Sequence, residues 1–366
     1  MSVAFSYDAL GRESERIYRV GGQVKARYHQ TWSAANQLLS KTLYRDGAAE
    51  HARIETFTYN TTVTGTDELQ KWTVAATDGN EVKDAAGKTI NEQIYTYDVL
   101  GNMSSCTTLR ADGSTDEQSY EYTDAQHPTR RTQFKSHKLE GTTKSEQKLV
   151  ALAYDGNGNL TTNEHEQTLA YSETGKLRSV TAKGQTLPLT YYEYDEADQL
   201  IAQYIAATQQ RRILSYANGR VCAETWLDTQ GTVIKRVTLD DEAGFAIALG
   251  DQVLFTLTDP QNGGGDEYSQ DAHGNWQRNS VSFTPWGEAP LDSMNALKAG
   301  LGYNGQRADP VTGRYHLGNG YRVYDPGHKV FYQPDDWSPF GAGGLNDRAY
   351  CAEGDPVNWH DPSGHI

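Results

Sequence analysis

Apolar and polar residues alternate along this chain in short runs. Ile94-Tyr-Thr-Tyr97 and Tyr192-Glu-Tyr194 show the pattern. A period of two belongs to a strand with one buried face, so Tyr falls on one side and its polar neighbours on the other. Such runs end in a recurring unit: Tyr-Asp or a near variant, two residues, often Gly, and then a polar-apolar restart. Clear copies are Tyr7-Asp8-Ala-Leu-Gly11-Arg, Tyr97-Asp98-Val-Leu-Gly101-Asn-Met103 and Tyr154-Asp155-Gly-Asn-Gly158-Asn-Leu160. Tyr171-Ser-Glu-Thr-Gly175-Lys-Leu177 keeps the spacing without the Asp. Tyr194-Asp195-Glu-Ala-Asp198-Gln-Leu200 keeps Tyr-Asp without the Gly. Weaker echoes stand at Tyr59-Asn60, Tyr122-Thr-Asp124 and Asp271-Ala-His-Gly274-Asn-Trp276.

The unit reads as a hairpin. An Asp can cap a turn by accepting from backbone N–H groups two residues on. A Gly supplies the positive φ that a side chain resists. Repeated hairpins should add side by side into one long curved sheet. Helix signals are scarce; Leu291-Asp-Ser-Met-Asn-Ala-Leu-Lys298 is the best, about two turns long.

Composition fits a thin, wide β-layer better than a compact ball. Only 37% of the 366 residues are hydrophobic, yet 23 Tyr, 7 Trp and 8 Phe are too many aromatics for a solvated chain. Mean hydropathy is −0.72. The net charge of −15 argues against nucleic acid or an anionic membrane as the main partner. The acids are spread along the chain, which reads as a solvated surface. Cys106, Cys222 and Cys351 lie far apart with no CxxC spacing, so neither a disulfide framework nor a zinc site is expected. No stretch approaches the roughly 18 apolar residues of a membrane helix. No basic-then-apolar signal opens the chain, so export is expected to use another machine or a removed N-terminal segment.

The last third is the most distinctive. It carries Tyr303-Asn-Gly-Gln-Arg-Ala-Asp309-Pro-Val-Thr-Gly313-Arg-Tyr315, Gly320-Tyr-Arg-Val-Tyr324-Asp325-Pro326 and Trp337-Ser-Pro-Phe-Gly-Ala-Gly-Gly-Leu345-Asn346. With the Tyr-Asp-x-x-Gly units before it, the chain resembles RHS (YD-repeat) proteins and their repeat-associated core region. The wording is most like the C component of insecticidal toxin complexes and the RHS effectors of type VI secretion. The resemblance implies an all-β fold: hairpins spiralling into a hollow shell, with a C-terminal, turn-rich plug. It implies a YD-repeat shell segment over 1–290 and an RHS-associated core over 291–366. The shell would enclose a C-terminal toxin lying beyond Ile366, made in the bacterial cytoplasm and delivered to target cells without a signal peptide. Shells of the family use more chain than this, so a further shell-forming segment or subunit is expected, and a secretion apparatus with it.

The resemblance also implies a single-turnover, aspartyl-type self-cleaving protease. The family cleavage motif, Pro-x-x-x-x-Asp-Pro-x-Gly-Leu, is matched by Pro356-Val-Asn-Trp-His-Asp361-Pro362-Ser-Gly364, with His365 where Leu is usual. The matching bond is His365–Ile366, and the chain's end beside it predicts a shell processed there. Scission of an amide needs an activated water and a protonated leaving nitrogen; two nearby carboxylates sharing a proton supply both. By resemblance, Asp335 stands first among the candidates, just ahead of Gly343-Gly344-Leu345-Asn346. Asp336 is its adjacent rival, Asp347 the second carboxylate, and Asp355 a further candidate. An Arg often precedes the first Asp; Pro334 stands there, and Arg348 is the candidate for the missing charge.

Turn capping is the simpler role for Asp325, Asp355 and Asp361. His316, His328, His360 and His365 lack metal-ligand spacing, so no metal and no cofactor is expected. The alternative reading is a YD-repeat scaffold that binds a surface or carbohydrate through its Tyr faces, without cleavage. A β-sheet glycoside hydrolase would need two carboxylates across one cleft, a pair the sequence does not single out.

Overall fold

The computed structural model describes residues 1–60, 67–77, 79–140, 143–144, 147–239, 246–249, 252–261, 264–341 and 343–365. Among them the chain forms two large antiparallel meanders. The first has 12 strands, from Ser2–Tyr7 to Lys148–Ala151; the second has 13, from Ala153–Tyr154 to Trp276–Ser282. Almost every strand pairs with its neighbours in sequence. The exception is Lys148–Ala151, which returns to pair with Gln133–Glu140. A small three-stranded sheet follows: Tyr315–Leu317, Arg322–Asp325 and Val330–Phe331.

The repeated unit builds the same turn each time. Asp98 Oδ1 accepts from Leu100 N at 2.8 Å and Asn102 N at 3.1 Å. Asp155, Asp195 and Asp271 do the same two and four residues on. Ser172 Oγ substitutes for the missing Asp by accepting from Lys176 N. Gly101 and Gly158 supply the left-handed residue, at φ 73° and 86°; Asp198 takes that conformation itself, at 58°. Asp tolerates the left-handed region better than most side chains, so the copy without Gly keeps its turn.

The tyrosine of the unit has a second task. Strand register slips by one residue at Tyr97, Tyr171 and Tyr194, as a β-bulge does. Each hydroxyl then donates to a carbonyl of the preceding repeat: Tyr97 to Leu69, Tyr171 to Leu160, Tyr194 to Leu177, all at 2.8–2.9 Å. Tyr59 reaches Leu38 at 2.9 Å and Tyr122 reaches Met103 at 3.0 Å in the same way. Where the unit has Trp32, its indole N–H donates to Glu13 O at 2.8 Å. Neighbouring hairpins are thus clamped through side chains as well as through the strand ladder.

The beginning of the first sheet meets the end of the second. Tyr18 donates to Thr258 O at 2.9 Å, Lys41 Nζ lies 2.7 Å from Asp259 Oδ2, and Arg45 pairs with Asp266. Residues 283–341 and 343–365 bond to and pack against both sheets. Backbone bonds join Leu160 N to Tyr332 O and Leu200 N to Asn319 O, and Leu38 N donates to Asn358 Oδ1. Strand Arg322–Asp325 is buried on both faces. Its Tyr324 stacks on Tyr350 at 4.0 Å and belongs to the cluster that holds Trp72 and Tyr95 of the first sheet; Val323 belongs to the cluster that holds Leu160, Leu177 and Leu200 of the second. The period of two therefore bonds the plug to both sheets at once.

Four expectations need correction. The strands divide into two sheets, not one long sheet, because Lys148–Ala151 folds back onto Gln133–Glu140 and does not carry the ladder on to Ala153–Tyr154. The acids are not simply a solvated surface: Glu224 sits between Arg212 and Arg307, and Asp309, Asp325, Asp335 and Asp361 are buried. The helix runs only over Leu291–Asn295. It stops short because Lys298 and Ala299 donate their N–H groups to the Glu267 carboxylate, at 2.7 and 2.6 Å, drawing the chain out of the helix. The arginine that faces Asp335 is Arg322, not the candidate Arg348. All three cysteines are free thiols. No helix of the described residues is long and apolar enough to cross a membrane.

Candidate active site

The segment that resembles the family cleavage motif folds as a tight turn around Asp361. Its Oδ1 accepts from Ser363 Oγ at 2.8 Å, Gly364 N at 2.7 Å and His365 N at 3.0 Å. The turn is anchored to the small sheet, where Gly318 donates to Pro362 O at 3.1 Å. A Cβ on Gly318, which has φ +59°, would overlap the Ser363 carbonyl oxygen, so the approach requires glycine.

This turn carries His365 to Asp335, 30 residues away in the chain. His365 Nδ1 lies 2.7 Å from Asp335 Oδ1. The imidazole is held between two aromatic rings: Trp337 stacks on it at 3.9 Å and 8°, and Tyr321 lies at 4.1 Å and 32°. Asp335 Oδ1 also accepts from Tyr321 Oη at 3.1 Å and Trp337 N at 3.3 Å. Oδ2 is buried without a hydrogen bond among the described residues. Gly343 lies against Oδ2 so closely that a Cβ there would overlap it.

Arg322 is the cation of the site. Its side chain is 2% exposed, and Nη2 stands 3.8 Å from both Asp335 Oδ2 and Asp361 Oδ2. Nε donates to Gly364 O and Nη1 to Asp347 O, the latter at 3.0 Å. The guanidinium lies 3.7 Å over the Phe331 ring. Burial lowers its pKa from the ordinary value, and the charges of Asp335 and Asp361 oppose that shift. Burial also raises the Tyr321 phenol, which remains a donor.

The other candidates are placed as follows. Asp336 is exposed and lies against Tyr321 Oη, whose single proton is shared between Asp335 Oδ1 and Asp336 Oδ1. Asp347 turns its carboxylate away: Oδ1 accepts from Thr129 Oγ1 at 2.5 Å and lies 4.0 Å from Arg348 Nε. Its backbone is what reaches the site, accepting from Asp335 N at 2.9 Å. Asp355 caps a separate turn, accepting from Val357 N, Asn358 N and Asn358 Nδ2. Burial pushes its carboxyl up to about 6. Pro356 O accepts from Tyr303 Oη at 3.1 Å. Arg348 donates to Tyr332 O and Gly158 O. Ile366 lies outside the described residues.

Tyr321, Arg322 and Trp337 are site residues that the sequence reading did not single out. Tyr321 and Arg322 stand in the quoted Gly320–Pro326 signature, but nothing local marks Arg322 as the partner of carboxylates 13 and 39 residues on. One possible metal cluster also escapes the sequence, since its members span 163 residues. Ligand atoms of His165, Asp325 and His328 lie within 4.8 Å of one another. The oxygen Asp325 turns towards His328 already accepts from Arg314 Nε at 3.0 Å and Tyr332 Oη at 2.5 Å. A guanidinium and a hydroxyl thus fill the coordination a metal would need, and the cluster is built as an ion-pair network.

A family model described as Teneurin YD-shell matches residues 1–339. Two curated relatives are named tRNA nucleases. WapA of Bacillus spizizenii, a tRNA3(Ser)-specific nuclease, is 26% identical over 284 residues, covering 74% of this chain and 11% of its own length. WapA of Bacillus subtilis is 25% identical over 292 residues, with the same two shares. Among solved structures, TcdB2-TccC3-TEV superposes with a TM-score of 0.63 at 15% identity, over 99% of this chain and 19% of that one. The Photorhabdus luminescens Tc holotoxin pore gives a TM-score of 0.63 at 16% identity, over the same shares. The chain thus spans about a tenth of the curated relatives and about a fifth of these solved chains.

Proposed function

Because the chain belongs to the Teneurin YD-shell family, we propose that it forms part of a shell that encloses a C-terminal toxin and frees it by aspartyl self-cleavage at Asp361-Pro362-Ser363-Gly364-His365. The observation that carries the reading is the meeting of Asp335 with the His365 ring at 2.7 Å, on the residue that supplies the acyl side of the bond the motif designates. A turn-former alone would not need a buried carboxylate, a buried arginine and an aromatic pair converging on the same motif.

In this reading residues 291–366 are the self-cleaving core. Asp335 Oδ2, the oxygen with no hydrogen bond, takes a proton from water as the water oxygen adds to the His365 carbonyl carbon. The C–N bond to Ile366 then breaks, and the same proton passes to the Ile366 nitrogen. The second water proton leaves with the new carboxyl group of His365. Arg322 holds the turn through Gly364 O and offsets the charge of Asp335 and Asp361. Asp336, linked to Asp335 Oδ1 through Tyr321, is the second carboxylate of the site. The enzyme acts once, on its own chain.

The relatives support the wider setting. WapA carries its YD-type stretch in one chain with a nuclease, and TccC3 is solved together with TcdB2. We infer that a further shell-forming segment or subunit completes the enclosure here, and that the shell is delivered to target cells.

The test is kinetic. A chain extended past Ile366 by a reporter should yield a fragment at a rate independent of protein concentration over a hundredfold range, and Asp335→Asn should stay whole. A rate that rises with concentration, or cleavage that survives in Asp335→Asn, would refute cleavage by the chain's own site.

A further inference from the structure

We propose that Tyr321 and Trp337 form the subsite that selects the residue on the acyl side of the cleaved bond, and that the subsite is built for histidine. The inference rests on the self-cleavage reading and adds a specificity to it.

Three features of the slot point to an imidazole. Its walls are flat: the Trp337 ring is within 8° of parallel to His365 at 3.9 Å, and Tyr321 stands at 4.1 Å. Two walls that close leave room for a planar ring and little for a branched side chain. Its inner end is an acceptor, Asp335 Oδ1, placed 2.7 Å from Nδ1 of the ring. An aliphatic side chain offers no N–H there, and a buried acceptor left without its donor is costly. Its walls are themselves tied to the carboxylate, through Tyr321 Oη and Trp337 N, both on Oδ1.

The last feature links selection to chemistry. With Tyr321, Trp337 and His365 all on Oδ1, the carboxylate is held with Oδ2, buried and without a hydrogen bond, as the oxygen left to act as base. His365 is therefore a positioning residue for Asp335, as well as the residue whose carbonyl is attacked. The wrong side chain in the slot would leave the carboxylate free to rotate, and a misplaced group loses rate steeply.

The experiment is a double-mutant cycle on chains extended past Ile366, reading the self-cleavage rate by gel and the fold by thermal melting. His365→Leu should slow cleavage at least tenfold with an unchanged melt. Trp337→Leu should slow the chain with His365 by a similar factor, yet change the His365→Leu chain less than threefold, because the stacked ring is already gone. Trp337→Phe, which keeps a flat face, should restore most of the rate lost in Trp337→Leu. A His365→Leu chain that cleaves as fast as the parent would overturn the subsite while leaving self-cleavage standing. So would a Trp337→Leu effect of equal size in both backgrounds. A parent chain that stays whole would overturn the self-cleavage reading, and the subsite with it.

Discussion

Asp335 and Arg322 face each other in the interior of the plug, Oδ2 to Nη2 at 3.8 Å, each with a side chain at most 2% exposed. Asp361 Oδ2 stands at the same distance from the same nitrogen. One guanidinium therefore serves two carboxylates from two different turns and also holds the carbonyl of Gly364. Removing it leaves buried negative charge uncompensated. Arg322→Met should destabilise the chain by about 3–5 kcal/mol in urea unfolding. A loss under 1 kcal/mol would mean that the two carboxylates find other partners.

Gly343 reports on the same carboxylate from its other side. A Cβ there would overlap Asp335 Oδ2 and crowd Ser338 Oγ. Gly343→Ala should push the carboxylate aside and slow self-cleavage roughly a hundredfold. The melting temperature should move by only a few degrees, because the residue lies in a loop. An unaffected rate would show that the carboxylate's position does not matter.

The tyrosine clamps should contribute in small, separable steps. Tyr194→Phe removes the bond to Leu177 O and leaves that carbonyl without it; the expected cost is about 1 kcal/mol. Tyr97→Phe loses the bond to Leu69 O in the other sheet and should cost a similar amount. The two sites share no partner, so the double variant should show the sum. A cost of the double variant well above the sum would mean that the clamps act as one cooperative network.

The strand meander and its repeated turns could be read from the chain because the signal is local: alternation, an Asp cap and a Gly lie within eight residues; its division into two sheets could not. Asp198 shows how a degenerate copy still obeys the rule, taking the left-handed conformation itself. The clamp from Tyr194 to Leu177 was not legible, since it joins two repeats whose separation varies. The site was legible in part. Asp335 and the Asp361 turn follow from motif resemblance, but Arg322, Tyr321 and Trp337 enter through packing between the small sheet and the motif. Asp347 shows the limit most clearly: the spacing brings its backbone to the site while its carboxylate goes to Thr129.

Asp355 gives a pH test of the plug. Burial raises its carboxyl to about 6, above the ordinary aspartate value. A group whose folded pKa is raised favours the folded state fully below its unfolded pKa and loses that contribution as pH rises through the folded value. Stability should therefore fall between about pH 4 and pH 6 by on the order of 3 kcal/mol from this group. Glu224 works in a different window. Burial alone would raise it, but Arg212 and Arg307 outweigh burial and hold it at about 2, so its contribution is lost only as pH falls towards that value. Asp355→Asn should flatten the stability profile between pH 4 and pH 6, measured by urea unfolding at each pH. An unchanged slope would assign that fall to other groups.

In the proposed self-cleavage, Asp335 cuts the chain after His365. The direct measurement is the intact mass of a chain extended past Ile366 by a folded reporter, with Asp335→Asn alongside. The account predicts two products from the parent, one ending at His365 and one beginning at Ile366, and a single uncut mass for Asp335→Asn. Full-length mass for both chains would contradict it, and so would a cut at any other bond.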